Sequence, residues 1–418
     1  MSKSVKKICK SKIVLYNKIG GSELMKIISI NAGSSSLKFK LYNMDEEKVI
    51  AKGNFERIGL DGSFYTITFN GEKIKAEIDL PNQKEAVKVL IEKLINLGII
   101  TSLEEIDGIG HRIVAGGDKY SSSVLITDEV IEYIDSIKNL APLHNPEDVE
   151  VIRAFKEVVP NKPMVAVFDT SFHKTMEKEN FLYPIPYSWY EKYQIRKYGA
   201  HGTSYRYIVK QIEKELGRTD LKIIGCHLGS GGSVCAIKDG KSIDTSMGFT
   251  PLAGIMMGTR SGDIDPSIIP YIMEKEGKNA GEIIDDLNHK SGLLGMSQIS
   301  SDARDIEREA LLGDPQAILT QEKYAKTVVS YISNYYVELE GADVIIFTAG
   351  IGENSPILRS KIINKLSCLG IKIDENLNQV KGEIRKISTD DSKVLVYVIP
   401  TDEELVIAKD TLSFVQNR

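Results

Sequence analysis

Apolar residues along the chain follow two alternating rhythms. Short apolar runs occur at 26–30 (KIISI), 106–114 (IDGIGHRIV), 164–169 (MVAVFD), 222–228 (KIIGCHL), 344–350 (VIIFTAG) and 394–400 (VLVYVIP), and they predict strands. Between them, stretches such as 147–159 (EDVEVIRAFKEVV) and 320–341 (TQEKYAKTVVSYISNYYVELEG) repeat apolar residues at helical spacing. The alternation predicts an α/β fold.

The runs also repeat. KIISINAGSSS at 26–36 aligns without gaps on KIIGCHLGSGG at 222–232, an offset of 196 residues. Each copy is an apolar strand entering a Gly/Ser turn, and each continues into a second strand-like stretch, LKFKLYN or VCAIKDG. Two duplicated halves facing each other across a cleft follow naturally; chance alignment of short strand–turn patterns is the plain alternative.

Composition narrows the partners. A chain of 418 residues with 42% apolar and 27% charged residues is long enough for two or three domains with a substantial core. The net charge of −5 supplies no global basic field for nucleic acid or anionic lipid. The longest apolar runs fall far short of the roughly 20 residues that span a bilayer, so no membrane partner is expected. Cys9, Cys226, Cys235 and Cys368 form no CxxC pair, and so few thiols in a long chain suit a reducing cytoplasm. Residues 1–20 carry six lysines and no acid but no signal-peptide apolar region; residues 1–24 read as an extension outside the fold, with Met25 opening the first strand.

Three small-residue loops are candidate phosphate cradles, because small residues let backbone N–H groups approach an anion. They are NAGSSSLK with Asn31, Ser34, Ser36 and Lys38; HLGSGGS with His227, Leu228, Gly229, Ser230, Gly231 and Gly232; and FTAGIGENS with Gly350, Ile351, Gly352, Glu353 and Asn354. The last, a glycine turn between strand and helix, is a ready anion site. GxxxxGK[ST] is missing, as is GxGxxG with its distant acid, so any nucleotide is bound by a different architecture. Asp169 ends a buried strand, where a carboxylate needs a metal, a cation or donors or else caps a helix. Arg112 and Arg260 sit among glycines, a setting that suits a guanidinium aimed at an anion, with an ordinary surface ion pair as the alternative. His144 and His201 lie beside turn residues, as catalysts or structural hydrogen bonders. No histidine pair has zinc-ligand spacing.

These stretches resemble the acetokinase family: NAGSSSLKF, GHRIV-GG, APLHNP, VFDTSFH, YG-HGTS, HLG-GGS, TPL-GIMMGTRSGD, FTAGIGEN and VIPT-EELVIA, in order, span nearly everything from Met25 to the C-terminus. The resemblance implies two duplicated actin/Hsp70-like (ribonuclease H-like) domains, 25–172 plus 404–418 for the acyl substrate and 173–403 for the nucleotide, with the nucleotide cleft between them. It also implies a cytoplasmic homodimer that uses ATP and Mg²⁺, or Mn²⁺ in its place, to phosphorylate acetate or another short-chain carboxylate. By position, Asn31 and Glu403 match magnesium-associated residues and Lys38 the first phosphate loop. Arg112 matches the substrate-binding arginine, Asp169 the active-site acid, and His201 and Arg260 the transition-state stabilisers. Val114, Leu143, His144, Ala200 and Pro251 match the acyl pocket. His227, Leu228, Gly229, Ser230 and Gly231, then Asp302, Ala303 and Arg304, and then residues 350–354 match nucleotide contacts.

The chain departs from the family at Ala115 and Tyr205 (usually His), Ser230 (usually Asn), Asp402 (usually Asn) and Ala200 (usually Phe). Alanine at 200 is expected to enlarge the acyl pocket toward propionate or butyrate, unless a neighbouring side chain refills the space. A propionate- or butyrate-preferring acyl kinase is therefore the runner-up reading. A non-enzymatic ATP-binding scaffold would have no need of a cation-lined acyl pocket.

Overall fold

The computed structural model describes residues 24–33, 35–142 and 144–417. Ser34, Leu143 and the extension up to residue 23 lie outside the described residues.

Two mixed sheets organise the chain. The first contains β1 (Lys26–Gly33), β2 (Ser36–Asn43), β3 (Lys48–Glu56), β4 (Phe64–Phe69), β5 (Glu72–Glu77), β6 (Gly108–Ile113), β7 (Val124–Leu125) and β8 (Met164–Phe168), in the order β5-β4-β3-β2-β1-β6-β8-β7. The second contains β9 (Lys222–Leu228), β10 (Gly232–Lys238), β11 (Lys241–Thr245), β12 (Val344–Thr348), β13 (Arg385–Lys386) and β14 (Leu395–Val398), in the order β11-β10-β9-β12-β14-β13. The succession β3-β2-β1-β6-β8 repeats as β11-β10-β9-β12-β14. In both, the first three strands pair antiparallel and the last three parallel. The two copies of the sequence repeat, β1 and β9, occupy the same place in this succession.

Burial explains why the central strands read as continuous apolar runs. All five residues of β8 and all five of β12 are buried, as expected for parallel strands covered on both faces. On the first sheet, Ile28, Ile30 and Phe39 pack with Leu90, Leu94 and Phe155 from helices Gln83–Asn96 and Asn145–Val158. On the second, Ile224, Phe347 and Val396 pack with Tyr324, Val328 and Ile332 of helix Pro315–Glu338.

Two helices are exchanged between the halves. Helix Gly202–Leu216 follows β8 in the chain, yet its Tyr205, Ile208 and Ile212 pack on Ile223 and Ile346 of the second sheet. Helix Glu403–Gln416 follows β14 and returns to the first sheet, where Ile407 and Phe414 meet Val165 and Val167. Asp402 starts this last helix by accepting the Leu405 N–H at 3.2 Å. The two helices are tied by a bidentate pair, Arg206 Nη1 and Nη2 to Asp410 at 2.8 and 2.7 Å.

Cys226 and Cys235 are buried free thiols and Cys368 is an exposed one. Among the described residues no helix is long and apolar enough to cross a membrane.

Candidate functional site

Neighbouring strand ends assemble the first cluster. β1, β6 and β8 run side by side and in parallel, so Asn31, Arg112 and Asp169 emerge at the same edge. Arg112 donates from Nε and Nη2 to Asp169 Oδ2 at 3.0 and 2.6 Å, and from Nη1 to Asn31 Oδ1 at 3.2 Å. Glu403, the first residue of the returning helix, places Oε2 3.8 Å from Arg112 Nε. Burial alone would lower the Arg112 guanidinium, but Asp169 and Glu403 outweigh it and the net shift is upward. Burial pushes Glu403 up to about 7, with the Asp169 charge adding and the Arg112 charge opposing. Lys38, exposed on β2 and paired in register with Asn31, acts on the same carboxylate.

Asp169 is fully buried and caps no helix with its side chain. Its Oδ1 accepts from Thr203 Oγ1 at 2.6 Å. That contact depends on the residue before it: a Cβ on Gly202 would lie 2.1 Å from the Asp169 carbonyl, so only glycine lets the helix start so close. The tight entry also sets His201 in the left-handed region, at φ 60°, an uncommon conformation for a side chain-bearing residue.

His201 and Arg260 meet over the second glycine turn. A Cβ built on Gly231 would lie 3.5 Å from both Arg260 Nη1 and His201 Nε2. The His201 ring stacks on His227 with centroids 4.0 Å apart, and Nδ1 lies 2.8 Å from Ser233 Oγ. Burial pushes His201 well below its ordinary range, reinforced by His227, Arg112 and Arg260, and pushes His227 down to about 3. Both are neutral imidazoles at neutral pH. His144 heads helix Asn145–Val158 without a side-chain cap bond; burial, then Arg112 and Arg260, pushes it down to about 4. Arg260 is lowered by burial and by Arg112, and its Nη1 donates to the Pro251 carbonyl at 3.2 Å. Arg112 and Arg260 thus feel each other and both act on the same two histidines.

The two remaining glycine loops join this corner on the second sheet. β9 and β12 are parallel, with His227 opposite Thr348, and a Cβ on Gly229 would stand 3.6 Å from Ala349 Cβ. Ala349 turns the strand into the 350–354 segment at φ 65°. Glu353 ties that loop to its own start and to the segment after β14, accepting from the N–H of Ala349 at 2.8 Å and of Thr401 at 3.1 Å; Asn354 donates to the Gly350 carbonyl at 2.9 Å. Below the loop, fully buried Arg359 donates to the Gly352 carbonyl at 2.8 Å and to the 378–380 backbone. The Ser230 carbonyl accepts from Gly258 N–H at 2.9 Å, and a Cβ on Gly258 would also sit 3.4 Å from the Ser301 carbonyl. This sets the 302–304 segment beside the HLGSG turn. There Asp302 caps its helix and pairs with the exposed Arg304 at 2.5 Å.

On the acyl side, Val114 is buried with Ala115 and Ala141. Asn145 holds both backbone groups of Ala115, each at 3.1 Å. Ala200 is buried against Met247 and Met257. Asp402 accepts from Lys40 Nζ at 2.8 Å and Tyr42 OH at 3.1 Å, and Tyr205 OH lies 2.6 Å from Ser233 Oγ. Sequence reasoning overlooked Thr203, Ser204, Ser233 and Arg359. The first two stood in plain view in the HGTS motif beside His201, and Ser233 ends HLGSGGS.

The donors gathered around Arg112, namely Asn31, Asp169 and Glu403, are all oxygens, the ligands hard divalent cations take. Among the described residues, no group of three His, Cys, Asp or Glu side chains is placed to hold a metal unaided.

A model of the acetokinase family matches residues 26–409. An acetate kinase of Anoxybacillus flavithermus is 56% identical over 389 residues, covering 93% of this chain and 98% of that protein. The crystal structure of Porphyromonas gingivalis acetate kinase superposes with a TM-score of 0.88 at 42% identity, covering 94% of this chain and all of the other. That of a propionate kinase from Francisella tularensis gives 0.89 at 41% identity, covering 93% and 100%.

Proposed function

The chain belongs to the acetokinase family, and from that premise we propose that it transfers the γ-phosphoryl group of ATP reversibly to acetate, giving acetyl phosphate and ADP. The observation that carries this reading is that Arg260 and His201 converge on the Gly231 turn, next to the Gly229–Ala349 contact, within electrostatic reach of Arg112 from the first sheet.

The chemistry follows from charge. A carboxylate with a solution pKa near ~4 is already ionised at neutral pH, so no base has to deprotonate it, unlike the hydroxyl of a sugar. The obstacle is repulsion: an anionic acceptor against a γ-phosphate opposes like charges by about 4 kcal/mol at contact range and an effective dielectric of 20. Arg112 orients and neutralises the acceptor carboxylate. Arg260 and the His201 imidazole stabilise charge on the equatorial oxygens of the phosphoryl group in flight. Asp169 holds Arg112 in place through two hydrogen bonds and is not a general base. Asn31, Asp169 and Glu403 would hold Mg²⁺; the buried, mutually repelling Asp169 and Glu403 carboxylates suit a cation between protein and phosphates. Held by these residues, such an ion would supply positive charge toward the nucleotide phosphates.

Acetate is taken as the favoured acid because the relative at 56% identity is an acetate kinase; Met247 and Met257, which pack against Ala200, are the side chains that would limit a longer acyl chain. Trapping acyl phosphate with hydroxylamine, with acetate, propionate and butyrate in parallel, tests the whole reading. ATP- and Mg²⁺-dependent hydroxamate is expected, greatest with acetate. Its absence with every acid would overturn the assignment, and a maximum at propionate or butyrate would replace acetate as the substrate. Self-association as a homodimer is part of the same proposal, supported by the exposed Ile268, Tyr271 and Met273 on one short helix and checked by sedimentation.

A further inference from the structure

Tyr205 is fully buried in the apolar layer between helix Gly202–Leu216 and the second sheet, yet its hydroxyl is not wasted. Ser233 Oγ lies 2.6 Å from it, and the same Ser233 oxygen lies 2.8 Å from His201 Nδ1. Three side chains, from the helix, from β10 and from the strained residue ahead of the helix, form one line ending at the reacting corner.

Counting protons along this line decides its direction. Tyr205 is fully buried and Ser233 Oγ is the hydrogen-bond partner its hydroxyl has among the described residues, so its proton goes to Ser233 rather than being left unpaired in the core. A hydroxyl has one proton to give. Ser233, receiving from Tyr205, sends its proton to His201 Nδ1, and a neutral imidazole bonded in that way carries its hydrogen on Nε2. Nε2 is the nitrogen that flanks Gly231 together with Arg260 Nη1. Resting on the phosphoryl-transfer reading above, we propose that Tyr205 and Ser233 are positioning residues that lock His201 in the Nε2–H tautomer, so that it offers a neutral N–H donor to the phosphoryl oxygens. With the line reversed, Nε2 would present a lone pair to those anionic oxygens and repel them. The stacked His227, itself held by Ser204 Oγ at 2.8 Å, keeps the ring from turning over.

The test is two-bond ¹H–¹⁵N correlation spectroscopy of the full-length protein with ring-labelled histidine near neutral pH, the His201 signals being identified by their loss in His201→Asn. The expected result is the Nε2–H pattern in the unaltered protein. Tyr205→Phe and Ser233→Ala should shift it toward a tautomer mixture, with kcat about fivefold to tenfold lower and both KM values within about twofold. An Nδ1–H pattern in the unaltered protein overturns the proposal. So does an unchanged spectrum with unchanged kcat in both variants. If Tyr205→Phe does not fold, the unaltered spectrum and Ser233→Ala decide. The spectrum is independent of which acid is phosphorylated, so failure there counts against the relay, whereas absence of hydroxamate counts against the proposed reaction.

Discussion

At the scale of single residues, the site is a balance of buried charges in which each cation has a distinct anion to answer. Arg112 is paired within the protein to Asp169 and neighboured by Glu403, whereas Arg260 is lowered by burial and by Arg112, and among the described residues it donates to the Pro251 carbonyl and the Met257 sulfur and meets no carboxylate. The Arg260 charge is therefore left wholly for a substrate anion, whereas Arg112 meets the acceptor carboxylate while still paired to Asp169. Arg112→Ala and Arg260→Ala should each lower kcat by about 10²-fold or more, the cost of one preorganised stabiliser. Steady-state rates decide it, and an Arg260 variant with near-normal turnover would remove that residue from the mechanism. Residues of this kind were legible beforehand because charge amid glycine at a strand end has few structural uses. Thr203, Ser233 and Tyr205 were not: a hydroxyl gains a role only when the fold brings a distant partner within 3 Å, and nothing in its own neighbourhood in the chain announces that.

At the scale of elements, close packing and helix ends impose their own conditions. β6 carries Gly110 because the returning helix lies directly on it: a Cβ there would sit 2.3 Å from Thr411 Oγ1 and 2.5 Å from Ile407 Cγ2. Gly110→Ala should destabilise the protein by about 1–3 kcal/mol through overpacking, read as a lower denaturation midpoint; unchanged stability would mean the helix can lift away freely. Helix Pro315–Glu338 ends on a carboxyl that burial, with Asp244 and Glu179 adding and Lys197 opposing, pushes up to about 7. One Glu338 oxygen is buried without a partner, and the helix C-terminus is itself negative. Because the folded pKa exceeds the unfolded one, ionising Glu338 costs stability that is retained below about pH 4 to 5 and lost as pH rises through about 7. Glu338→Gln should raise Tm at pH 8, on the order of 1 kcal/mol given its partial exposure, and change little at pH 5; thermal melts at both values check the sign. The apolar central strands were readable from sequence. The β3–β5 meander was not, since β5 alternates exposed and half-buried positions and is largely charged, the pattern of an edge facing water.

At the scale of the whole molecule, the exchange of helices makes the two halves one mechanical object. The repeat at 26–36 and 222–232 disclosed the duplication, but not that each half lends a helix to the other, because crossing over leaves no trace in apolar periodicity. The consequence is that the cleft residues are supported across the exchange. Glu403 opens the helix that packs on the first sheet, and His201 precedes the one that packs on the second. Any change in their relative position must pass through the contact between these helices, where Arg206 and Asp410 form a bidentate, partly buried pair. Such geometry is stronger than a scattered surface pair, so a double-mutant cycle with Arg206→Ala and Asp410→Ala should give a coupling energy of about 1 kcal/mol or more. The single variants should also lower kcat, since loosening this joint separates Arg112 and Glu403 on one side from His201 and Arg260 on the other. Additive effects on stability, or full activity in both single variants, would show that the halves are held in register by apolar packing alone and that the ion pair is incidental to the cleft.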